Sequence, residues 1–183
     1  MLKDKALREG NFARAVLVGI NFASTDLTRA NFLSAEINHA SFRDAVLEEA
    51  TFEKAVAVRT NFSGARFGGA NLEKAEFQRS NLARAMLKGV NLSKGDFGRS
   101  VFDRADLSGA TFRHSNIARA RFAGAALGGA DFSHAFTFGT RFDGADLSGA
   151  KGLTQEQVNV ACGTATTKLP RGLKAPPGWP CAE

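Results

Sequence analysis

"NFSGARFGGANLEKAEFQRSNLARAMLKGVNL", residues 61–92, places Leu or Phe at every fifth position and a small residue two places before nearly every one. A period of five matches neither the 3.6 residues of an α-helix nor the two of a simple strand. The pattern runs far in both directions. Every fifth residue from Leu2 to Leu147 gives 30 positions, of which 14 are Phe, 12 Leu and 2 Ile, with only Ala57 and Thr137 outside it. Two places ahead of the centres, from Lys5 to Ala150, Ala fills 19 of 30 positions and Gly, Ser or Thr another 8. The other positions are mostly polar.

Two inward residues with one outward residue between them form a short piece of strand, because side chains alternate faces. The remaining two residues of each five must turn a corner. Gly69, Gly89, Gly109, Gly129 and Gly149 fall two places after a centre, where a positive φ suits glycine. Each five is therefore one side of a polygon. Phe and Leu alternate from Phe12 to Phe52, with Ile37 in a Leu place. A three-sided coil would stack Phe over Leu, whereas a four-sided coil stacks like over like. Asn11, Asn31, Asn71 and Asn91 share the 20-residue step of a four-sided coil, as do Arg59, Arg79, Arg99 and Arg119.

The units "ANLEK", "ADLSG" and "ANFLS" resemble the pentapeptide-repeat family, whose motif is a small residue, Asp or Asn, Leu or Phe, and two variable residues. The resemblance covers about residues 5–150. It implies an all-β solenoid, a right-handed quadrilateral parallel β-helix. About seven coils at the strand spacing of about 4.8 Å give a rod on the order of 34 Å long. The two exceptions have separate readings: Ala57 faces Phe67 across the core and leaves room for it, while Thr137 has no such counterpart. Its neighbours Phe136 and Phe138 are expected to project outward.

The pattern stops after Ala150, which divides the chain into the repeat (1–150), a capping segment (151–163) and an extended tail (164–183). "GLTQEQVNVACG", residues 152–163, carries helix signals: Thr154 as N-cap, Gln157 completing a capping box, Leu153 with Val158 as a staple, and Gly163 as the stop. A short helix there covers the open end of the stack. The tail also resembles, more weakly, those of bacterial family members, a number of them exported. At the other end Leu2 and Leu7 are already centres, so the first coil is expected to follow a removed segment or to meet a partner.

Composition narrows the function. The chain of 183 residues has 44 % hydrophobic residues, with 16 Phe, one Trp and no Tyr, a core chosen for shape without hydroxyls to satisfy. No apolar run approaches the roughly 18 residues of a membrane span, and nothing at Met1 resembles a secretory signal. The net charge is +6. There is no nucleophile elbow, Cys–His arrangement or phosphate loop despite 19 Gly, so neither catalysis nor a cofactor is expected.

The most informative residues form columns at the 20-residue step. Lys54, Lys74 and Lys94, continued by His114 and His134, line one edge of the side that carries centres 17, 37 and 57. Arg59, Arg79, Arg99 and Arg119, in line with His39, form the other edge. Two basic rails can grip an acidic partner; with Glu36, Glu76 and Asp96 between them, they can equally be a solvated, charge-paired wall. His114 and His134 stack near Asp131 but lack a third firm metal ligand. Val56, Val58, Phe136 and Phe138 make an apolar patch on the same side, covered by the folded-back tail through Leu169, Leu173 and Trp179 or by another protein. Cys162 and Cys181 can pair in an oxidising compartment or stay free in the cytosol. Pairing would fasten the tail and place the protein in the periplasm or outside the cell after removal of an upstream signal, and free thiols would leave it cytoplasmic.

Two functions follow. One is a non-enzymatic rigid scaffold or protein-binding rod with an unknown protein partner, or a dimer formed through an uncapped end or the apolar patch. The other comes from the resemblance, since some family members protect DNA gyrase by mimicking duplex DNA and so confer quinolone resistance. A mimic needs a negative rod, and residues 1–150 carry 20 Lys and Arg against 16 Asp and Glu. Nucleic acid is disfavoured as a partner, because the rails lack a base-reading or aromatic signature.

Overall fold

The computed structural model describes residues 7–181; Leu2 and the start of the first coil lie outside them. Each five-residue unit contributes one bridge residue and one turn. Parallel bridges join residue i to i+20, from Asn11↔Asn31 to Asp131↔Lys151. Four units therefore complete one coil. Side 1 carries centres such as Phe12 and Phe32, side 2 Leu17 and Ile37, side 3 Phe22 and Phe42, and side 4 Leu27 and Leu47.

The unit Asn71–Ala75 explains why five residues suffice. Asn71 N–H donates to Ala50 O at 3.0 Å in the coil before, and Leu72 and Lys74 N–H donate to Asn91 O (2.8 Å) and Ser93 O (2.9 Å) in the coil after. Ala75 N–H closes the turn on Leu72 O at 3.1 Å. The fifth, Glu73 N–H, goes to Asn71 Oδ1 at 3.0 Å. All five donors are satisfied, as a buried backbone requires. The Asn and Asp of the motif are thus the acceptor for the one N–H that the stack leaves over. Where the bridge residue is Val56, Asn38 Oδ1 of the neighbouring coil takes Val58 N–H at 2.8 Å instead.

The turns demand a positive φ at their third residue. Every corner from Glu9 to Gly144 adopts it, and 19 of these residues are not glycine. A left-handed conformation costs an ordinary residue about 1–2 kcal/mol, a load offset by the hydrogen bonds each corner makes to the next coil. Gly149, expected among these corners, is an exception. Gly129 N–H bonds to Gly149 O at 3.0 Å, whereas Gly109 N–H bonds to Gly128 O, so the last turn shifts by one residue as the chain leaves the repeat. Two glycines separate conformation from space. Gly89 (φ +69°) has open surroundings, while a Cβ at Gly152 (φ +66°) would lie 2.0 Å from Ser133 Oγ and 2.7 Å from its nitrogen. In urea melts, Gly89→Ala is expected to cost about 1 kcal/mol and Gly152→Ala about 2–3 kcal/mol.

The centres stack into the core. Phe12, Phe32 and Phe52 lie ring over ring at 4.9 and 4.8 Å, and Phe32 meets Phe42 of side 3 edge-on at 5.5 Å and 84°. Phe67 packs at 5.6 Å from Phe62, which stacks on Phe77 at 4.8 Å. Ala57 and Thr137, the two departures from the Leu and Phe pattern, are both buried. Leu7, Phe12 and Leu17 are instead only half-buried, because among the described residues they are covered from one side alone. Inward hydroxyls are bonded too: Thr60 N–H donates to Ser80 Oγ at 3.0 Å and Ser80 N–H to Ser100 Oγ at 3.1 Å.

The ladder does not stop at Ala150. It continues as Arg141↔Cys162 and Asp146↔Lys168, so part of the expected extended tail forms further rungs. Helix α1 (Gln155–Asn159) sits over side 2 with the Thr154–Gln157 capping box formed and Val158 buried. Gln157 Nε2 also donates to Phe132 O (2.9 Å) and Ala135 O (2.8 Å). Thr137 finds its reason here, since its hydroxyl donates to Gln157 O at 2.8 Å where the next coil has a helix in place of a strand. Gly163 is not the stop, because α1 ends at Asn159 with Val160 as its C-cap.

Candidate functional site: the basic side of the rod

Side 2 brings the candidate residues together. Lys54, Lys74 and Lys94 occupy the corners shared with side 1, and Arg59, Arg79, Arg99 and Arg119 those shared with side 3, all with φ between 56° and 60°. All seven are exposed. The rails differ in their partners. Lys54 lies 3.7 Å from Glu53, and Lys74 and Lys94 lie 3.8 and 3.2 Å from Glu73 on side 1. The four arginines make no ion pair among the described residues. With Arg14, side 2 and its edges hold eight Lys and Arg against Glu36, Glu76 and Asp96. The wall is charge-paired on its lysine edge and unpaired on its arginine edge.

Just inside the arginine edge the row shrinks to Gly98 and Ala118. A groove of about 420 Å³ opens there, lined by Arg79, Arg99 and Arg119 on one flank, Asp96 and Asn116 on the other, with Gln78 and Phe138 at its ends. The Arg119 guanidinium stands 5.9 Å from the Phe138 ring centre. Asp96 Oδ1 accepts from Gly98 N–H at 2.8 Å and Asn116 Nδ2 at 3.1 Å. Gln78 Oε1 is buried with no hydrogen-bond partner. The charge columns were legible in the sequence; the groove was not, although two small residues 20 apart between arginines were its signal. A larger groove of about 610 Å³ on side 3 mixes signs, with Arg43 near Asp44 at 3.4 Å and Arg121 on Asp103 at 2.7 Å.

The apolar patch needs correction. Phe136 and Phe138 remain 59 % and 50 % exposed, with rings 6.5 Å apart. The tail does not fold back along side 2 to cover them: Trp179 packs against the core at the end of the stack and donates from Nε1 to Ala161 O at 2.8 Å. Val56 and Val58 are half-buried. Val16 and Val18, 69 % and 55 % exposed on the same side, were missed, although they flank Leu17 as Val56 and Val58 flank Ala57.

The remaining candidates have structural surroundings. His114 and His134 stack at 4.8 Å. Asp131 beside them accepts from Ser133 N–H and hydroxyl (2.9 and 2.6 Å) and from Arg113 at 3.3 Å. No cluster of three or more metal-ligating side chains occurs among the described residues. Cys162 and Cys181 are bonded to each other, with Cα atoms 5.6 Å apart.

Side 4 carries three of the carboxyls held below their ordinary value, beside Asp131, Glu49, Glu73 and Glu156 elsewhere. Hydrogen bonds from the Thr28 and Ser108 hydroxyls hold the Asp26 and Asp106 carboxyls below their ordinary value. The Ser148 hydroxyl, with Lys168, lowers Asp146 to about 2. A lowered carboxyl stabilises the fold fully above its unfolded value, 3.8, and loses that contribution as pH falls through the folded value. The Asp146–Lys168 seam between rod and tail is therefore expected to weaken between pH 4 and about 2. Trp179, the only Trp, reports it: its emission should shift over that window, and Asp146→Asn should remove the pH-dependent step.

The family model for pentapeptide repeats matches this chain in eight copies, over residues 7–44, 34–73, 60–104, 80–117, 96–133 and 115–151. Among solved structures, a trypsin-treated variant of QnrB1, a plasmid-mediated fluoroquinolone resistance protein, is 19 % identical over 92 % of this chain and 91 % of its own, with a TM-score of 0.55. HetL, a pentapeptide repeat protein involved in heterocyst differentiation regulation in the cyanobacterium Nostoc sp. strain PCC 7120, is 21 % identical over 93 % of this chain and 85 % of its own, with a TM-score of 0.44. No curated protein matches the sequence. At such identity the likeness to the QnrB1 variant shows the fold alone. No helix among the described residues is long and apolar enough to cross a membrane.

Proposed function

Because the chain belongs to the pentapeptide-repeat family and shares its right-handed quadrilateral β-helix, we propose that it works as a non-enzymatic rigid rod. The rod has about seven coils, is capped by α1, and holds a protein partner on side 2. The observation that carries this reading is the file of exposed arginines at Arg59, Arg79, Arg99 and Arg119, none in an ion pair among the described residues. Elsewhere Arg29, Arg66, Arg113 and Arg121 have carboxylate partners, while Arg84 and Arg104 make a shorter file, unpaired among the described residues, at the corner of sides 3 and 4. A file left unpaired is available to an anionic surface and steers its approach.

A second copy fits this side poorly. Two such sides packed face to face set a basic rail against a basic rail, whether the rods run parallel or antiparallel, and like charges in register oppose association. The exposed Phe136 and Phe138 add an apolar contact at one end of the basic file, the composition of an interface with a charged flank. The grooves on sides 2 and 3 are open to solvent, which suits a docked partner better than an enclosed substrate.

A photo-crosslinking residue placed at Val58, on side 2, and separately at Lys88, on side 4, tests the reading in cells that express the protein. Discrete protein adducts are expected from Val58 and not from Lys88. Equal adducts from both sides would remove side 2 as the docking face.

A further inference from the structure

Resting on that reading, we propose that the side 2 groove takes an extended acidic peptide segment with an aromatic or large apolar residue near one end. The groove offers three kinds of contact in a fixed order. Arg79, Arg99 and Arg119 stand on successive coils, so their guanidinium groups form a ladder at about the strand spacing of 4.8 Å. Such a ladder accepts carboxylates along its length, and charge-assisted pairs with guanidinium are the strong ones. At the far end Phe138 is 50 % exposed with the Arg119 guanidinium over its ring, and the ring surface left open is a seat for one apolar anchor.

The third contact selects a peptide over other polyanions. The wall facing the arginines carries an acceptor, the Asp96 carboxylate, whose Oδ1 takes Gly98 N–H and Asn116 Nδ2 and leaves Oδ2 over. An incoming backbone N–H satisfies the oxygen left over. A peptide brings N–H donors and carboxylates on one chain. A sugar–phosphate backbone brings no N–H donor to Asp96. The floor at Gly98 and Ala118 lets a main chain approach closely. From the coil of Gln78 to that of Phe138 is three strand spacings, about 14 Å, which about four extended residues cover.

The test uses fluorescence anisotropy with a labelled ten-residue peptide of alternating Glu and Gly carrying one Phe near its end. Three further probes are the same peptide with Gln for Glu, the same with Ala for Phe, and oligothymidine of equal charge. The Gln peptide is expected not to bind, and the Ala peptide to bind about tenfold more weakly. Arg99→Gln with Arg119→Gln should weaken the acidic peptide by about 30-fold. Ala118→Leu, which fills the groove and leaves every charge in place, should weaken the peptide about tenfold and leave oligothymidine unchanged. Peptide binding indifferent to Ala118→Leu, or oligothymidine binding as tightly as the peptide, would overturn the proposal in favour of general polyanion attraction. Absence of peptide binding would also overturn it. If Val58 still crosslinks a protein in that case, the rod reading stands and only the peptide chemistry falls.

Discussion

Phe112→Asp is expected to leave no cooperatively folded protein. Phe112 is fully buried, stacked on Phe132 at 5.2 Å and met edge-on by Phe97, Phe102 and Phe122 at 6.1, 5.9 and 5.8 Å. Truncating such a ring costs about 3–5 kcal/mol, and an unpaired buried carboxylate adds several more. Together they rival the 5–15 kcal/mol that holds a typical domain. Phe112→Leu is the control, because Leu92 and Leu72 fill the same column one and two coils before. It should lower stability by less than about 1.5 kcal/mol. Far-ultraviolet circular dichroism and urea melts read both variants. A soluble Phe112→Asp protein with a cooperative melt would contradict the coil register.

The second large effect is at the other end of the stack. Phe142 N–H bonds to Cys162 O at 2.8 Å, which puts Gly163 in the place of the next centre on side 3. A Cβ at Gly163 would lie 2.3 Å from Trp179 Cζ3. The indole thus fills the layer that another Phe would fill, and Leu169, following Lys168, takes the next place on side 4. The Cys162–Cys181 bond ties this lid down two residues beyond Trp179. Closing a loop of about 20 residues stabilises by about 3 kcal/mol in the chain-entropy model. Reductant, or Cys181→Ser, is expected to lower stability by that order and to shift Trp179 emission to the red. Gly163→Val should displace the indole with the cysteines intact. Unchanged emission and melting under reductant would mean that packing alone holds the lid.

The repeat was legible because each coil offers the same environment at the same position, so period and column reappear as plain spacing. The corners were legible only in part. Glycine marks some of them, but the polygon imposes the left-handed conformation on Arg79 and His114 as well, and inter-coil hydrogen bonds carry the strain. Contacts made once have no period to betray them. Trp179 against Gly163 and Thr137 against Gln157 are of this kind, which is why the tail was placed on side 2 when it covers the end. The groove escaped for a related reason. Columns of charge attract notice, whereas Gly98 and Ala118 matter through side-chain volume they lack.

The sign of the rod's charge is the central functional claim, and gyrase tests it most directly. A rod that carries a file of unpaired arginines along one edge should attract acidic chains and should not imitate duplex DNA. In a supercoiling assay at physiological salt, with and without ciprofloxacin, micromolar protein is expected neither to inhibit gyrase nor to relieve the drug's poisoning. Clear protection of the enzyme would contradict the claim.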